Sequence, residues 1–210
     1  YAGHISSSDL TDVEIAVGNK TDYVNVYVGD TLTAANLAPA AAKNYVSYQW
    51  YRASESHGTG EKISGATKSS YTATEADKGK YLKVVVTGDG NKYNGTIYDV
   101  SSLVLAKDAP SVYPERVTVS YGNDASTTLT LSEGMNVTGV ADESGKMLNA
   151  EQYTYNQETG KLTISKDYFA GLTDGLSAFT IIVSEDAVYN PMFMVSITGG
   201  PTAGPVPTEE

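Results

Sequence analysis

The sequence predicts an all-β protein built as two β-sandwiches in tandem. Three observations predict it. Apolar residues recur with period two in short runs, the spacing of strands that bury one face. Turn residues separate those runs, as they do between the short strands of sandwiches. The 210 residues also contain a proline-marked break near the middle, where a second folding unit can begin. The aromatic residues agree, with 16 Tyr against 3 Phe and 1 Trp, because Tyr suits a pleated, half-buried surface.

The elements follow in chain order. Val13, Ile15 and Val17 point one way, and Asp12, Glu14 and Ala16 the other. Val24, Val26 and Val28 repeat the pattern around Asn25 and Tyr27. Leu82, Val84 and Val86 come next, then Leu129 and Leu131, then Leu162 and Ile164. Turns are expected at Gly18-Asn19, Gly29-Asp30, Gly88-Asp89-Gly90-Asn91, Gly122-Asn123-Asp124 and Thr159-Gly160. Thr74-Glu75-Ala76-Asp77 carries an N-cap residue and first-turn acids, enough for about one helical turn. The stretch from Ser165 to Leu172, with a capping Ser and the Gly171 stop, predicts another turn or two.

Composition bounds the function. A hydrophobic content of 40% supports packed cores. The formal net charge of −11 repels nucleic acid and anionic lipid, so neither is an expected partner. Having no Cys excludes a disulfide framework, a thiol nucleophile and thiolate zinc sites. No apolar run approaches the ~20 residues of a membrane span, so no membrane insertion is expected. The chain opens on Tyr1-Ala2-Gly3 without a basic-then-apolar segment. It is therefore expected to be a piece of something longer.

The break lies at Ala106-Lys107-Asp108-Ala109-Pro110-Ser111-Val112-Tyr113-Pro114, since two prolines this close do not fit a paired central strand. Charge steps there as well. Residues 1–107 hold 10 basic and 11 acidic residues, whereas residues 108–210 hold 4 and 14. The expected units are 1–107 and 108–199, followed by a Pro-rich linker or tail over 200–210.

In the first unit, Tyr45-Val46-Ser47-Tyr48-Gln49-Trp50-Tyr51-Arg52 reads as a strand with the only Trp at its centre. Asp77-Lys78-Gly79-Lys80-Tyr81 follows as a turn into a later strand. A Trp on the third strand and an Asp-x-Gly-x-Tyr turn form the skeleton of an immunoglobulin-like sandwich, with the Trp between the sheets and the Asp and Tyr fastening a corner. An antibody-type domain carries a Cys two residues after that Tyr; here Lys83 stands there. The inner face is expected to be Leu82, Val84 and Val86 instead, because a one-residue slip exchanges faces. The run from Tyr48 to Ser101, with its Tyr-Gln-Trp-Tyr-Arg, Ile63-Ser64-Gly65-Ala66-Thr67 and Gly79-Lys80-Tyr81-Leu82-Lys83-Val84 segments, resembles the bacterial immunoglobulin-like repeats of Gram-positive surface and cell-wall proteins. That resemblance implies a spacer or adhesion stalk.

The second unit holds Thr128-Leu129-Thr130-Leu131, Lys146-Met147-Leu148, Gln152-Tyr153-Thr154-Tyr155 and Lys161 to Phe169, then Gly171-Leu172. With these residues the chain from about Ser111 to Gly199 resembles the X2-type immunoglobulin-like module of bacterial polysaccharide-degrading proteins. Gln152 and Phe169 depart from that family, which often has Asp and Leu there. The resemblance implies a non-catalytic accessory unit and names no binding residues.

No catalytic residues are expected. His57 lies in the Gly-rich loop Ser54-Glu55-Ser56-His57-Gly58-Thr59-Gly60-Glu61, outside the strand–turn–helix setting of a nucleophile elbow; His4 stands near the start. Acidic pairs such as Asp142-Glu143 and Glu185-Asp186 read as solvated turns, since glycoside cleavage needs two carboxyls across a cleft. Asp89-Gly90-Asn91 offers oxygen ligands for calcium but lacks the rest of an alternating acidic loop, and reads as a hairpin turn. Gly58-Thr59-Gly60 lacks the later Gly of a phosphate loop. Tyrosine faces can stack on pyranose rings, which makes Tyr51, Tyr93 and Tyr98 the candidate binding residues.

The expected function is a non-catalytic spacer or adhesion segment of a secreted or cell-surface bacterial protein, with no metal and no cofactor. The alternative is a carbohydrate-binding accessory module. Expected partners are other modules of the same chain, and polysaccharide, cell wall or a host surface.

Overall fold

The computed structural model describes residues 7–21, 24–184 and 189–201. The chain divides into two compact units, Tyr1–Lys107 and Asp108–Glu210. Both are immunoglobulin-like β-sandwiches. In the first the strands are β1 (Ser8–Asp9), β2 (Asp12–Val17), β3 (Val26–Tyr27), β4 (Thr31–Ala38), β5 (Val46–Ala53), β6 (Glu61–Lys62), β7 (Ser70–Thr72), β8 (Tyr81–Gly88), β9 (Tyr93–Asn94) and β10 (Thr96–Leu105). One sheet runs β3-β10-β8-β5-β6 and the other β2-β4-β7, with β1 and β9 paired apart.

The core between these sheets contains Val13, Ile15, Leu32, Trp50, Leu82, Val84 and Val86. Leu82, Val84 and Val86 are the inward face of β8, each 0% exposed, so the Lys83 position points outward. Trp50 is fully enclosed. Its indole stacks on Tyr71 of the opposite sheet at 5.9 Å between centroids, and its Nε1–H donates to the Lys68 carbonyl at 2.9 Å.

The corner is fastened by Asp77, but through a different tyrosine from the one the motif suggests. Glu75–Asp77 form a 3-10 turn with a capping box on Thr74. The buried Asp77 carboxylate accepts from Arg52 Nε at 2.6 Å, Tyr71 Oη at 2.9 Å, the Thr74 N–H at 2.7 Å and the Thr74 hydroxyl at 2.9 Å. Tyr81 is not among its partners; it opens β8 opposite Ala53 and Leu103.

Local chemistry also adjusts the other elements. The Val24–Val28 alternation yields only the two-residue β3, paired parallel to Val104–Leu105. The Val28 N–H still reaches the Leu105 carbonyl, after which the Gly29 N–H turns away to the Ala73 carbonyl and Asp30 Oδ2 closes the turn on the Tyr27 N–H at 2.9 Å. A 3-10 turn over Ala40–Asn44 was not signalled by periodicity. In β2, Ala16 is buried along with Val13 and Ile15, where strict alternation would expose it; the strand's register shifts between Asp12 and Glu14.

The second unit contains β11 (Ser111–Tyr113), β12 (Arg116–Ser120), β13 (Ala125–Thr130), β14 (Val137–Ala141), β15 (Tyr153–Tyr155), β16 (Lys161–Ile164), helix α1 (Lys166–Phe169), β17 (Gly175–Val183) and β18 (Met192–Thr198). Its sheets are β11-β13-β16-β15 and β12-β18-β17-β14. The short strand between Pro110 and Pro114 is an edge strand of the first of these, the place in a sheet where flanking prolines are tolerated. The Ser165 hydroxyl caps α1 by accepting from the Asp167 N–H at 3.2 Å. That single turn drops Phe169 into the core, edge-on to Phe179 at 6.1 Å, among Leu162, Ile164, Phe193 and Val195. Residues 202–210 of the expected tail lie outside the described residues. Gly199 and Gly200 are tied back by their N–H groups to Asp174.

Two measurements check this account. Burial works against the Asp77 charge, yet the donors of Thr74, Arg52 and Tyr71 outweigh it and hold the carboxyl below the usual Asp range. A lowered folded value means the unfolded chain binds the extra proton, so its contribution is complete above the unfolded value of about 3.9 and is lost as pH falls below it. Asp77→Ala is expected to cost about 3 kcal/mol at pH 7, since it strands a partly exposed Arg52. Asp77→Asn should flatten the acid limb of stability against pH, both read by urea denaturation. Separately, Phe179→Ala is expected to cost about 3–5 kcal/mol. The loss should appear in a far-UV transition, while the emission of Trp50 unfolds at its wild-type midpoint.

Candidate functional site

The outward face of the β10-β8-β5-β6 sheet carries the densest cluster of candidate residues. Strand register sets it. Tyr51 of β5 lies opposite Lys62 on one side and Lys83 on the other, and Lys83 lies opposite Val100 of β10. The adjoining row is Gln49, Val85 and Tyr98. Side chains alternate across a strand, so with Trp50, Leu82 and Val84 inside, these residues share the outer face.

Tyr98 is 62% exposed. The Lys83 ammonium sits 4.2 Å above the centre of its ring, a contact worth about 0.5–1 kcal/mol at an exposed site. Beside this pair lies an open depression of about 360 Å³, walled by Ser56, His57 and Gly58 of one loop, Lys83, and the β10 segment from Tyr98 to Ser101.

A bulge shapes that wall. The β10–β8 register shifts between Val100 and Leu103, as expected where an extra residue interrupts the ladder. The Leu82 N–H is taken instead by the buried Ser101 hydroxyl at 2.9 Å, which in turn donates to the Ser102 carbonyl at 2.7 Å. Asp99, paired with the inward Val84, faces the other sheet and accepts the Ile15 N–H on Oδ2 at 2.6 Å, joining the two sheets.

The loop of residues 54–60 is held close to β5. Gly60 has φ of +76°, and a Cβ there would lie 3.1 Å from the Arg52 carbonyl oxygen, so only glycine fits without displacing backbone. Lys80 Nζ donates to the Ser54 hydroxyl at 3.0 Å.

The other candidates separate. Tyr93 is half-buried and packs against the core, with Tyr45 at 5.8 Å between ring centroids. Tyr51 and Tyr98 therefore share a sheet face that Tyr93 does not join. Asp89 Oδ1 accepts from the N–H groups of Asn91, Lys92 and Tyr93 at 2.9–3.1 Å. Those bonds, that from Tyr93 foremost, hold its carboxyl below the usual range, so this turn uses its own oxygen. The Ser144 hydroxyl does the same to Asp142, the reverse of the raised value a general acid requires. His57 shares a 2.9 Å hydrogen bond between Nδ1 and the Ser56 hydroxyl, and no hydrogen bond joins its imidazole to Asp99. Among the described residues, no group of three or more His, Cys, Asp or Glu side chains could hold a metal ion. No described helix is long and apolar enough to cross a membrane. His4 and Glu185-Asp186 lie outside the described residues.

Periodicity alone could have singled out Lys83, since it stands between two core residues of β8. Nothing in the sequence signalled its approach to Tyr98 or the partnership with the 54–60 loop, both of which depend on strand pairing.

Comparison with known proteins gives one family-model match over part of the chain. The family model described as the Ig domain of plant-specific actin-binding protein matches residues 29–104. No curated protein matches. Among solved structures, the chain is similar to a tri-modular GH5 endo-β-1,4-glucanase from Bacillus licheniformis complexed with cellotetraose. The TM-score is 0.36 at 12% identity, over 84% of this chain and 38% of that one. It is also similar to the S-layer protein rSbsC(31-844), with a TM-score of 0.30 at 16% identity, over 94% of this chain and 29% of the other. A third is the SGBP-B of the Bacteroides ovatus mixed-linkage glucan utilization locus, in complex with a mixed-linkage heptasaccharide. Its TM-score is 0.30 at 16% identity, over 90% of this chain and 48% of that one. The chain thus spans less than half the length of each of these three structures.

The placement of the tyrosines makes a stability prediction. Tyr98→Ala is expected to change the unfolding free energy by less than about 1 kcal/mol, losing only a solvent-exposed contact. Tyr71→Phe is expected to cost about 1.5–3 kcal/mol, because it removes a donor to a buried carboxylate. Equilibrium denaturation followed by Trp50 emission measures both, and the reverse order would contradict the assignment.

Proposed function

We propose that this chain is a non-catalytic spacer or adhesion segment of a secreted or cell-surface bacterial protein. The observation that carries the reading is that each unit encloses its own core while residues 106–110 alone connect the last strand of one to the first strand of the next. A joint that short, ending in Pro110, has little slack. Rigid sandwiches joined this way suit a stalk that holds other modules away from a wall. The first unit is read as a bacterial immunoglobulin-like repeat, supported by the Tyr48–Ser101 segments, and the second as an X2-type module.

A second reading, a carbohydrate-binding accessory module, is favoured by one observation. Tyr51 and the exposed Tyr98 share a sheet face beside the 360 Å³ depression, within the usual size range of a small ligand site. Incubation with insoluble cellulose, peptidoglycan and mucin separates the two. The spacer reading expects the protein in the supernatant in every case; retention on one polymer replaces it with the second reading. Release of sugar by this chain alone would overturn both.

A further inference from the structure

We infer that the depression beside Lys83 takes the carboxylate of an acidic saccharide, with Lys83 and His57 holding the anion and Tyr98 and Val100 meeting the sugar ring. This deepens the second reading above and rests on it.

The argument starts from an unusual side chain. Lys is depleted in strands, and Lys83 occupies a central strand flanked by β5 and β10. Among the described residues the ion pairs are Arg52–Asp77 and Lys78–Glu75, so Lys83 has no carboxylate partner. Its cross-strand neighbours are Tyr51 and Val100, neither of them acidic. Asp99 of β10 also lines the depression, but it faces inward opposite Val84 and gives Oδ2 to the Ile15 N–H. The ammonium rests on the Tyr98 ring and keeps hydrogen-bond donors for something else.

The same contact takes one of the two faces of the Tyr98 ring from a stacking sugar. What the pair presents to the depression is a positive charge beside a phenol. His57 adds an imidazole to the lining. Its Nδ1 is engaged by Ser56, and its Nε2 has no hydrogen bond to a described residue.

Electrostatics place such a site in this half of the molecule. Residues 1–107 carry a net charge of −1, from 10 basic and 11 acidic residues, and the remainder carry −10. A polyanion meets far less repulsion at the first unit. Under the depression, β8 is paired on both sides and offers no free edge for strand addition, while β10 meets β3 only at Val104 and Leu105. On the β8 side, recognition falls to side chains, Lys83 among them.

The test is affinity electrophoresis of the whole chain through gels containing polygalacturonate, the same polymer fully methyl-esterified, or polyglutamate. Retardation is expected with polygalacturonate and not with the ester, and it should weaken as salt rises. Lys83→Met is expected to weaken the retardation about tenfold or more, the loss of one charge-assisted hydrogen bond. Lys43→Met, in the 3-10 turn away from this face, should leave it unchanged. Trp50 emission confirms that each variant is folded. Equal retardation by the esterified polymer would overturn the acidic ligand while leaving the carbohydrate reading intact. No retardation by either polymer would overturn this inference, and retention on cellulose, peptidoglycan or mucin would still uphold the carbohydrate reading. Equal retardation by polyglutamate would show that charge suffices, and would overturn the saccharide.

Discussion

The first unit depends on one buried carboxylate. Without a disulfide between its sheets, it closes through a ring of contacts that returns to its starting strand. Trp50 on β5 stacks on Tyr71 of β7; Tyr71 donates to Asp77; Asp77 receives Arg52, which lies two residues from Trp50 on the same strand. Each member restrains the next. The indole sets where Tyr71 can stand, and the phenol then reaches the carboxylate. The carboxylate is stable as an anion only because four donors meet it, which is the condition for burying a charge at all. The 3-10 turn that carries Asp77 is held by the same oxygen through Thr74, so the turn, the corner and the intersheet contact form a single arrangement.

The second unit reaches closure by another route. Its center is aromatic and aliphatic, with Tyr168 and Phe179 meeting edge-on at 5.1 Å and Phe169 completing the cluster. Edge-to-face pairs of this kind add modestly to the large area that they bury. The buried polar side chain there is Thr127, whose hydroxyl donates to the Pro114 carbonyl at 2.7 Å. That bond satisfies a carbonyl beside a residue that has no N–H of its own. One unit is thus organised around a satisfied charge and the other around packed rings, which follows from where the single Trp and the three Phe fall in the chain.

Much of this could be read in the sequence because core faces obey a simple period. Leu82, Val84 and Val86, Leu162 and Ile164, and the enclosed Trp50 all follow from alternation and the Trp-strand pattern. So does the single turn that ends at Asp77. The unread parts depend on partners distant in sequence. Tyr71 and Tyr81 both stand near Asp77 along the chain, and only the pairing of β7 with β4 decides which phenol faces it. The Val24–Val28 run has good strand chemistry, yet its pairing ends where the Gly29 N–H turns to the distant Ala73 carbonyl. The candidate site is less legible still. Of Tyr51, Tyr93 and Tyr98, the first two differ little in sequence setting, yet one lies on the outer sheet face and the other packs on the core.

Lys83 shows how the surface chemistry arises from the register of the core. Counting from Tyr81, its position is where an antibody-type domain would place an inward Cys. Placing Leu82 and Val84 inside instead reverses every side chain of β8, and a residue that could not be buried unpaired becomes a surface cation. The bulge after Val100 supplies Ser101 to replace a lost ladder bond, while Asp99, inward by plain alternation opposite Val84, goes to Ile15. Had β10 continued in regular register, the alternation that puts Tyr98 and Val100 outside would have run on unbroken, with no recess between strand and loop. The same two local adjustments, a slipped face and a bulge, satisfy the interior and leave an uncompensated positive charge at the surface. That charge, more than the tyrosine count, gives this sheet face a chemistry of its own.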